Sequence, residues 1–283
     1  MNIFEAILTR RSWRTFNGLR LDDKTIAEVE NTIAAANKKA LSPLVRQPGE
    51  PAPRVVLLED ESLNGLSGTY GAIRGARHFM ALISTRSEGT LIEAGALMEN
   101  IIISLTAIGL DTCWLGGTFS RSRFGSVAAL TDNEEIVAVS PVGHRSPSTR
   151  FAERMMQRLA RSSRRKPFPE LFTGVSSPDL SAITRPAGQM TDPERISIIL
   201  DMVRHAPSSA NSQPWRASVG PDGRKVRLYS VRHSRFTPID MGIALDHFLE
   251  ASSALGQKWD VKLDHSSPDI AMYLTLKQDA SRC

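Results

Sequence analysis

Cysteine is nearly absent: Cys113 and Cys283 are the only two in 283 residues. A disulfide framework and a multi-cysteine zinc site are thereby excluded, and nothing demands an oxidising compartment. Nor does the start of the sequence read as a leader. The first residues, MNIFEAILTRRSWRTF, hold no apolar run followed by a small-residue cleavage site, so no signal peptide is expected and a cytoplasmic location is. No long hydrophobic run is free of polar groups. The stretch nearest to a membrane span, Leu91 to Leu110, carries Glu93, Glu99 and Asn100. Such groups survive in a bilayer only where paired or functional, so this stretch reads as a buried helix of a soluble protein, with no membrane partner.

What is present is ordinary in bulk. Hydrophobic residues make up 41% and charged residues 23%, near the globular average. The chain is long enough to bury a substantial core, as one large domain or two small ones. The net charge of +5 and a pI of about 9.5 suit an anionic partner: nucleic acid, acidic lipid or a phosphorylated small molecule.

The chain echoes itself. Ile92 to Gly109 and Ile239 to Gly256 overlay without a gap. They share Ile, an acid, Gly, a second acid, Ala and a final Gly placed where a helix takes its C′ glycine. Thr25 to Lys38 and Pro193 to His205 both read as amphipathic helices. Arg54 to Leu58 pairs with Lys225 to Tyr229, and Ile136 to Ser140 with Ile270 to Leu276, as strands. Each half runs helix, strand, long helix, strand. The join falls between Ser146 and Pro186, beginning with an Arg-studded helix from Arg150 to Leu159 and ending as a linker. Two such units bury their apolar helices best against each other, with the sheets outside. A cleft between the halves is then the natural place for a small-molecule site.

Four segments carry chemistry. Arg10-Arg-Ser-Trp-Arg14 follows a short helix, Ile3 to Leu8. Three guanidinium groups and a hydroxyl form a dense phosphate receptor, because arginine offers a planar fork whose charge does not titrate away. Arginines at a helix C-terminus can equally serve only to offset its macrodipole. Ala206-Pro-Ser-Ser-Ala-Asn-Ser-Gln-Pro-Trp215 is a polar turn that ends a helix at Pro207 and offers donors and acceptors to a flat heterocycle. It also reads as an ordinary polar loop. Thr112-Cys-Trp-Leu-Gly-Gly117 allows backbone to approach a ligand closely at Gly116 and Gly117, or simply turns the chain. Arg161-Ser-Ser-Arg-Arg-Lys166 is basic but lacks interleaved aromatics for base stacking, which argues for a solvated linker or a phosphate contact over a nucleic-acid patch.

Together these segments resemble the FMN-dependent nitroreductase family. The string Pro207-Ser-Ser-Ala-Asn-Ser-Gln-Pro-Trp215 is the most specific carrier, joined by the arginine motif, the Ile92 to Gly109 helix leading into Cys113-Trp-Leu-Gly-Gly117, and Val137 to His144. The resemblance covers most of the chain. It implies an α+β nitroreductase-like fold, with two sheets around central packed long helices. The order of the motifs is unusual. Where ordinary members carry the polar string soon after the arginine motif, this chain reads Ala34-Ala-Ala-Asn-Lys-Lys-Ala-Leu-Ser42; the second half's counterpart of the arginine motif is Thr184-Arg-Pro-Ala-Gly-Gln189. Each half lacks what the other keeps. The chain therefore resembles an internally duplicated branch mimicking the family homodimer: residues 1–165 as the phosphate-binding repeat and 166–283 as the flavin-ring-facing repeat, one compact monomeric pseudo-dimer.

The resemblance carries roles with it. Arg10, Arg11 and Ser12 would bind the FMN phosphate and ribityl chain, and Arg14 would lie near the pyrimidine edge of the flavin. Arg165 matches a late basic phosphate ligand. Pro207, Ser208, Ser209 and Asn211 would face the ring, with Gln213 helping or bracing the loop. Leu115 and Gly116 would line one side with a backbone N–H directed at the flavin's reactive nitrogen, Gly117 being the fallback. Arg74 is left unassigned. NAD(P)H would reduce the flavin, and an electron-poor acceptor such as a nitroaromatic or quinone would reoxidise it. One FMN per chain is expected, and no nucleophile, triad or metal is required. A flavin-binding sensor or storage protein without turnover is the alternative, and a nucleic-acid-binding protein the weaker one. The lid over the flavin falls to residues 121–132 or 146–177.

Overall fold

The computed structural model describes residues 1–40, 43–147 and 164–277. The chain opens on α1 (Ile3–Thr9), whose Asn2 and Glu5 cap each other's backbone amides reciprocally, a capping box that satisfies two donors at once. Helix α2 (Asp23–Ala40) buries Val29, Ile33 and Ala36 along one stripe. The Asn37 side chain on α2 both donates to and accepts from the Val55 backbone, at 2.8 Å each way. Then come β1 (Arg54–Glu59), the short α3 (Gly65–Thr69), β2 (His78–Ser84), α4 (Glu88–Ala107), β3 (Asp111–Thr112), α5 (Arg121–Val127) and β4 (Glu135–Gly143). The strands form one antiparallel sheet in the order β1-β2-β4-β3.

The remaining elements are α6 (Phe168–Leu171), β5 (Phe172–Thr173), α7 (Asp192–His205), β6 (Trp215–Val219), β7 (Lys225–Ser230), α8 (Thr237–Ala254), β8 (Trp259–Leu263) and β9 (Ala271–Leu276). They build a second sheet, β5-β6-β7-β9-β8, antiparallel except for the parallel β5–β6 pair. The architecture is α+β, with two sheets around two long packed helices, as the sequence leads one to expect. The expected helix at Arg150 to Leu159 lies outside the described residues.

Five of the described strands were not foreseen: the two-residue β3 and β5, and β2, β6 and β8. All seven residues of β2 are buried, so its sequence shows no alternation and reads as a plain apolar run. The β6 strand begins at Trp215, hidden at the end of the polar string. The β8 strand is an edge strand of only five residues.

Helices α4 and α8 sit at the centre because they are apolar nearly all round, which only burial satisfies. Among the described residues α4 is the one helix long and apolar enough to cross a membrane; here it packs against α8, α2 and α1. The two central helices approach through two glycines. A Cβ on Gly95 would lie 2.2 Å from the Ile239 carbonyl oxygen, and one on Gly242 1.9 Å from that of Ile92. The contact is reciprocal: the glycine of each helix rests on the residue three positions before the other's glycine. Buried side chains of both halves, Ile92 and Met98 with Leu245 and Phe248 among them, belong to one cluster. A smaller cluster around Phe79, Phe119 and Phe124 lies on the first sheet.

Candidate functional site

A cavity of about 720 Å³ opens beside the central helices. Its wall is drawn from segments far apart in the chain. Arg10, Ser12 and Arg14 form one side, Pro207, Ser208, Ser209 and Asn211 another, and Leu115, Gly116 and Gly117 a third, with Arg165 between them. Eleven of the thirteen residues singled out from the sequence thus meet in one place. Trp114, Ala138, Ile239 and Ile243 add apolar wall, and Tyr70 and Arg235 also line the cavity.

The arginine motif is held extended. Ser12 bridges Thr112, the Trp13 N–H donates to the Thr112 carbonyl at 2.9 Å, and the Arg14 carbonyl accepts from Arg74 N–H at 2.9 Å. Extended backbone sends alternate side chains to opposite sides. Arg10, Ser12 and Arg14 therefore reach the cavity. Arg11 and Trp13 line a second hollow, of about 420 Å³, with His144 and Arg145. Arg11, expected at the phosphate and ribityl chain, does not line the cavity; its guanidinium donates to the carbonyls of Leu8 and Arg10. The period of two was legible in the motif itself. Arg74 supplies backbone to this segment, and its exposed side chain is not among those lining the cavity.

The polar string is strained and pinned. Ala210, Asn211 and Gln213 all adopt positive φ, at 50°, 52° and 47°, a region costing non-glycine residues of the order of 1–3 kcal/mol each. What holds it there is a set of side-chain bonds. Asn211 Oδ1 accepts from Arg165 at 3.1 Å, and its amide donates to the Arg164 carbonyl at 2.8 Å. Gln213, buried, accepts from the Lys166 N–H at 2.8 Å and donates to the Arg164 carbonyl at 3.2 Å. Gln213 is therefore a brace and does not line the cavity. The two amides knit residues 207–213 to residues 164–166, and Arg165 also donates to the His205 carbonyl at 3.0 Å. The part of the basic cluster at 161–163 lies outside the described residues.

A third adjustment concerns Leu115. Its N–H donates to the Val139 carbonyl at 2.9 Å and its carbonyl accepts from the Val139 N–H at 3.0 Å. Leu115 thus offers the cavity its side chain and not its amide.

Electrostatically the cavity wants an anion. Burial first, and then the charges of Arg10, Arg11 and Arg204, push the Arg165 guanidinium down to about 10. Burial likewise lowers Arg10, which the Glu99 carboxylate partly restores. Arg10 Nε has no hydrogen-bond partner among the described residues. Cations crowded in a desolvated wall are relieved most by a ligand carrying negative charge and several acceptor oxygens.

Sequence reasoning missed Asp240. It lines the cavity from the first turn of α8 and accepts the Ser209 N–H at 2.9 Å. Burial raises its carboxyl from the usual 3.8 to about 7, the Ser209 bond opposing. The signal was the acid opening the second long-helix echo. Between pH about 4 and about 7 the folded chain keeps a proton on Asp240 that the unfolded chain has released, so stability falls as pH rises through that window. Asp240→Asn retains an acceptor for Ser209 and removes the titration. Its unfolding free energy is expected to vary less with pH across the window than that of the wild type; parallel denaturation profiles would refute this.

A protein-family model described as "Putative TM nitroreductase" matches residues 2–252. The solved structure of a protein described as a putative nitroreductase of Thermotoga maritima is 20% identical, covering 98% of this chain and 95% of its own, with a TM-score of 0.58. A nitroreductase family protein of Clostridium novyi is 20% identical over 52% of this chain and 87% of its own, with a TM-score of 0.41. A nitroreductase with bound FMN from Bacteroides fragilis is 15% identical over 53% of this chain and 92% of its own, again at 0.41. No curated protein matches.

Proposed function

The chain belongs to the nitroreductase family of oxidoreductases and has its α+β fold, and on that premise we propose that it is an FMN-dependent oxidoreductase, passing a hydride from NAD(P)H by way of the flavin to an electron-poor acceptor such as a nitroaromatic or a quinone. One observation carries the proposal: the Arg10–Arg14 motif and the Pro207–Asn211 string, some two hundred residues apart in the chain, line one cavity.

The residues fit the group. Arg10, Ser12 and Arg165 would hold the phosphate, whose charge relieves the crowding of buried guanidinium groups. Trp114, Leu115, Ile239 and Ile243 offer apolar surface to a tricyclic ring. Arg14 would sit at the pyrimidine edge, where a cation stabilises negative charge on a reduced ring. Ser208, Ser209 and the Gly116–Gly117 turn would supply the polar contacts to the ring. Bound there, the flavin supplies the two-electron carrier that no side chain provides. The protein's part is to orient it, to shield one face from water with the wall from Trp114 to Gly117, and to set its charge environment.

The two halves, 1–165 and 166–283, are proposed to be copies of one unit. Two pairs of features support this. The Gly95 and Gly242 contacts are reciprocal. Glu93 and Asp240, equivalent in the helix overlay, each accept backbone amides from the loop beside them. For Glu93 these are Leu44 at 2.5 Å, Val45 at 2.7 Å and Arg46 at 3.0 Å; for Asp240 the donor is Ser209. The difference is equally informative. Beside Glu93 the Arg46 side chain is buried and ion-paired to it, whereas Asp240 faces open cavity. An arginine thus stands where a second ligand would lie, so one FMN per chain is expected. Because the chain carries both sides of its site, a monomer suffices.

The purified protein should be yellow, with a flavin-to-chain ratio near one and bleaching on addition of NADH or NADPH. A ratio near two would contradict the asymmetry. A yellow protein that neither pyridine nucleotide bleaches would remove the turnover.

A further inference from the structure

At the centre of the molecule, behind the arginine motif, lies a fully buried acid. Glu99 stands on α4 with no solvent exposure. Its Oε2 accepts the Trp114 indole N–H at 2.7 Å. Its Oε1 lies 3.0 Å from His247 Nε2 on α8 and 3.7 Å from Arg10 Nε. The other ring nitrogen of His247 is 2.9 Å from the Met202 carbonyl on α7. One carboxylate therefore touches both central helices, the turn at Trp114 and the arginine motif.

We propose that Glu99, buttressed by His247, is the positioning residue for Arg10: its charge, an ion pair 3.7 Å from Nε and beyond hydrogen-bond reach, holds the Nε edge of the guanidinium so that the remaining donors of the fork are aimed at the anionic end of the ligand. This rests on the reading of the cavity as a flavin phosphate site. The physical need is plain. A guanidinium buried in a wall shared with Arg165 is repelled from it. Without a fixed negative charge behind it, it is held less firmly in one orientation, and preorganisation of its fork favours phosphate. Although burial alone would raise the Glu99 carboxyl, its bond to His247 and the charge of Arg10 hold it below its usual value.

The proton count makes the proposal testable without disturbing the charge of the site. His247 Nδ1 faces a carbonyl and so carries a proton; the contact between Nε2 and Glu99 Oε1 needs a second proton on one partner or the other. The Glu99–His247 pair is neutral overall wherever that proton sits. Glu99→Gln with a neutral imidazole is neutral as well. Its amide oxygen can still accept from Trp114 and its NH2 can still donate to His247, but the face toward Arg10 turns from acceptor to donor. The substitution breaks the tether and little else.

The experiment compares FMN with riboflavin, which lacks the phosphate, by titration of flavin fluorescence on the apoprotein. Wild type is expected to prefer FMN strongly. In Glu99→Gln that preference should fall by about tenfold, with riboflavin affinity unchanged. In an Arg10→Met background the same substitution should no longer alter the preference, since the tethered group is gone. Should Glu99→Gln not fold, Glu99→Asp, which retracts the carboxylate from Arg10 by about 1.5 Å, carries the test with the same expected selectivity. Equal loss of both flavins, an unchanged preference, or a further fall in the Arg10→Met background would each overturn the proposal. A wild-type protein that binds both flavins equally would overturn the phosphate reading itself, and this inference with it.

Discussion

Gly242→Ala is expected to destabilise the protein by about 3 kcal/mol or more and to weaken flavin binding at the same time. The added Cβ would lie 1.9 Å from the Ile92 carbonyl oxygen, 2.8 Å from its carbon and 3.0 Å from the Ala96 nitrogen. All three are backbone atoms of a central helix, so no side chain can swing aside, and α4 and α8 must part. Interiors packed to crystal-like density do not absorb such a shift locally. Parting the helices also moves Asp240 on α8 away from the Gly116–Gly117 side of the cavity, which is why binding should fall together with stability. Gly95→Ala meets Ile239 in the same way, at 2.2 Å, and should behave alike. Gly125→Ala is the control: it lies in α5, and its Cβ would meet only the Leu130 side chain at 3.6 Å. Helix propensity makes it neutral or slightly stabilising. Chemical denaturation measures all three. A Gly242→Ala protein as stable as Gly125→Ala would show that the helices do not meet through glycine.

Arg165→Ala is expected to lower FMN affinity by about 100-fold, the loss of one buried charge-assisted contact together with the bracing it provides. Arg165 is at once a cavity residue and the peg of the polar string, donating to Asn211 and to the His205 carbonyl. Its removal deletes a cation and frees a loop held at positive φ. Arg165→Lys restores the charge but not the fork, and should recover only part of the affinity. Arg185, in the stretch proposed as the second half's counterpart of the arginine motif, is surface-exposed and paired with Glu194 at 2.9 Å; Arg185→Ala should leave binding unchanged. Equal losses from Arg165→Ala and Arg185→Ala would undo the assignment of roles to the two halves.

Much of this site could be read from the residues before any coordinates, for a physical reason. Chemistry-bearing segments such as Arg10–Arg14 and Pro207–Trp215 are short and local, and their composition survives in one dimension. What stayed hidden depends on the third. Arg11 leaves the cavity because its segment is extended and side chains alternate. Asn211 and Gln213 face residues 164–166 because that segment returns beside them. Leu115 spends its amide on β4, a partner that only the sheet supplies. Asp240 was visible as an acid, but its burial was not. In the fold, the amphipathic helices and half-buried strands announced themselves by period, whereas β2, buried on both faces, has no period to announce.

A cavity walled by distant parts of a chain also has a timetable. As the nascent polypeptide leaves the ribosome, the Arg10 segment emerges well before Asn211. Closing so long a loop is slow. If the cavity binds flavin as proposed, capture of added FMN requires both segments in place, and the quenching of its fluorescence, followed during refolding, would clock that closure.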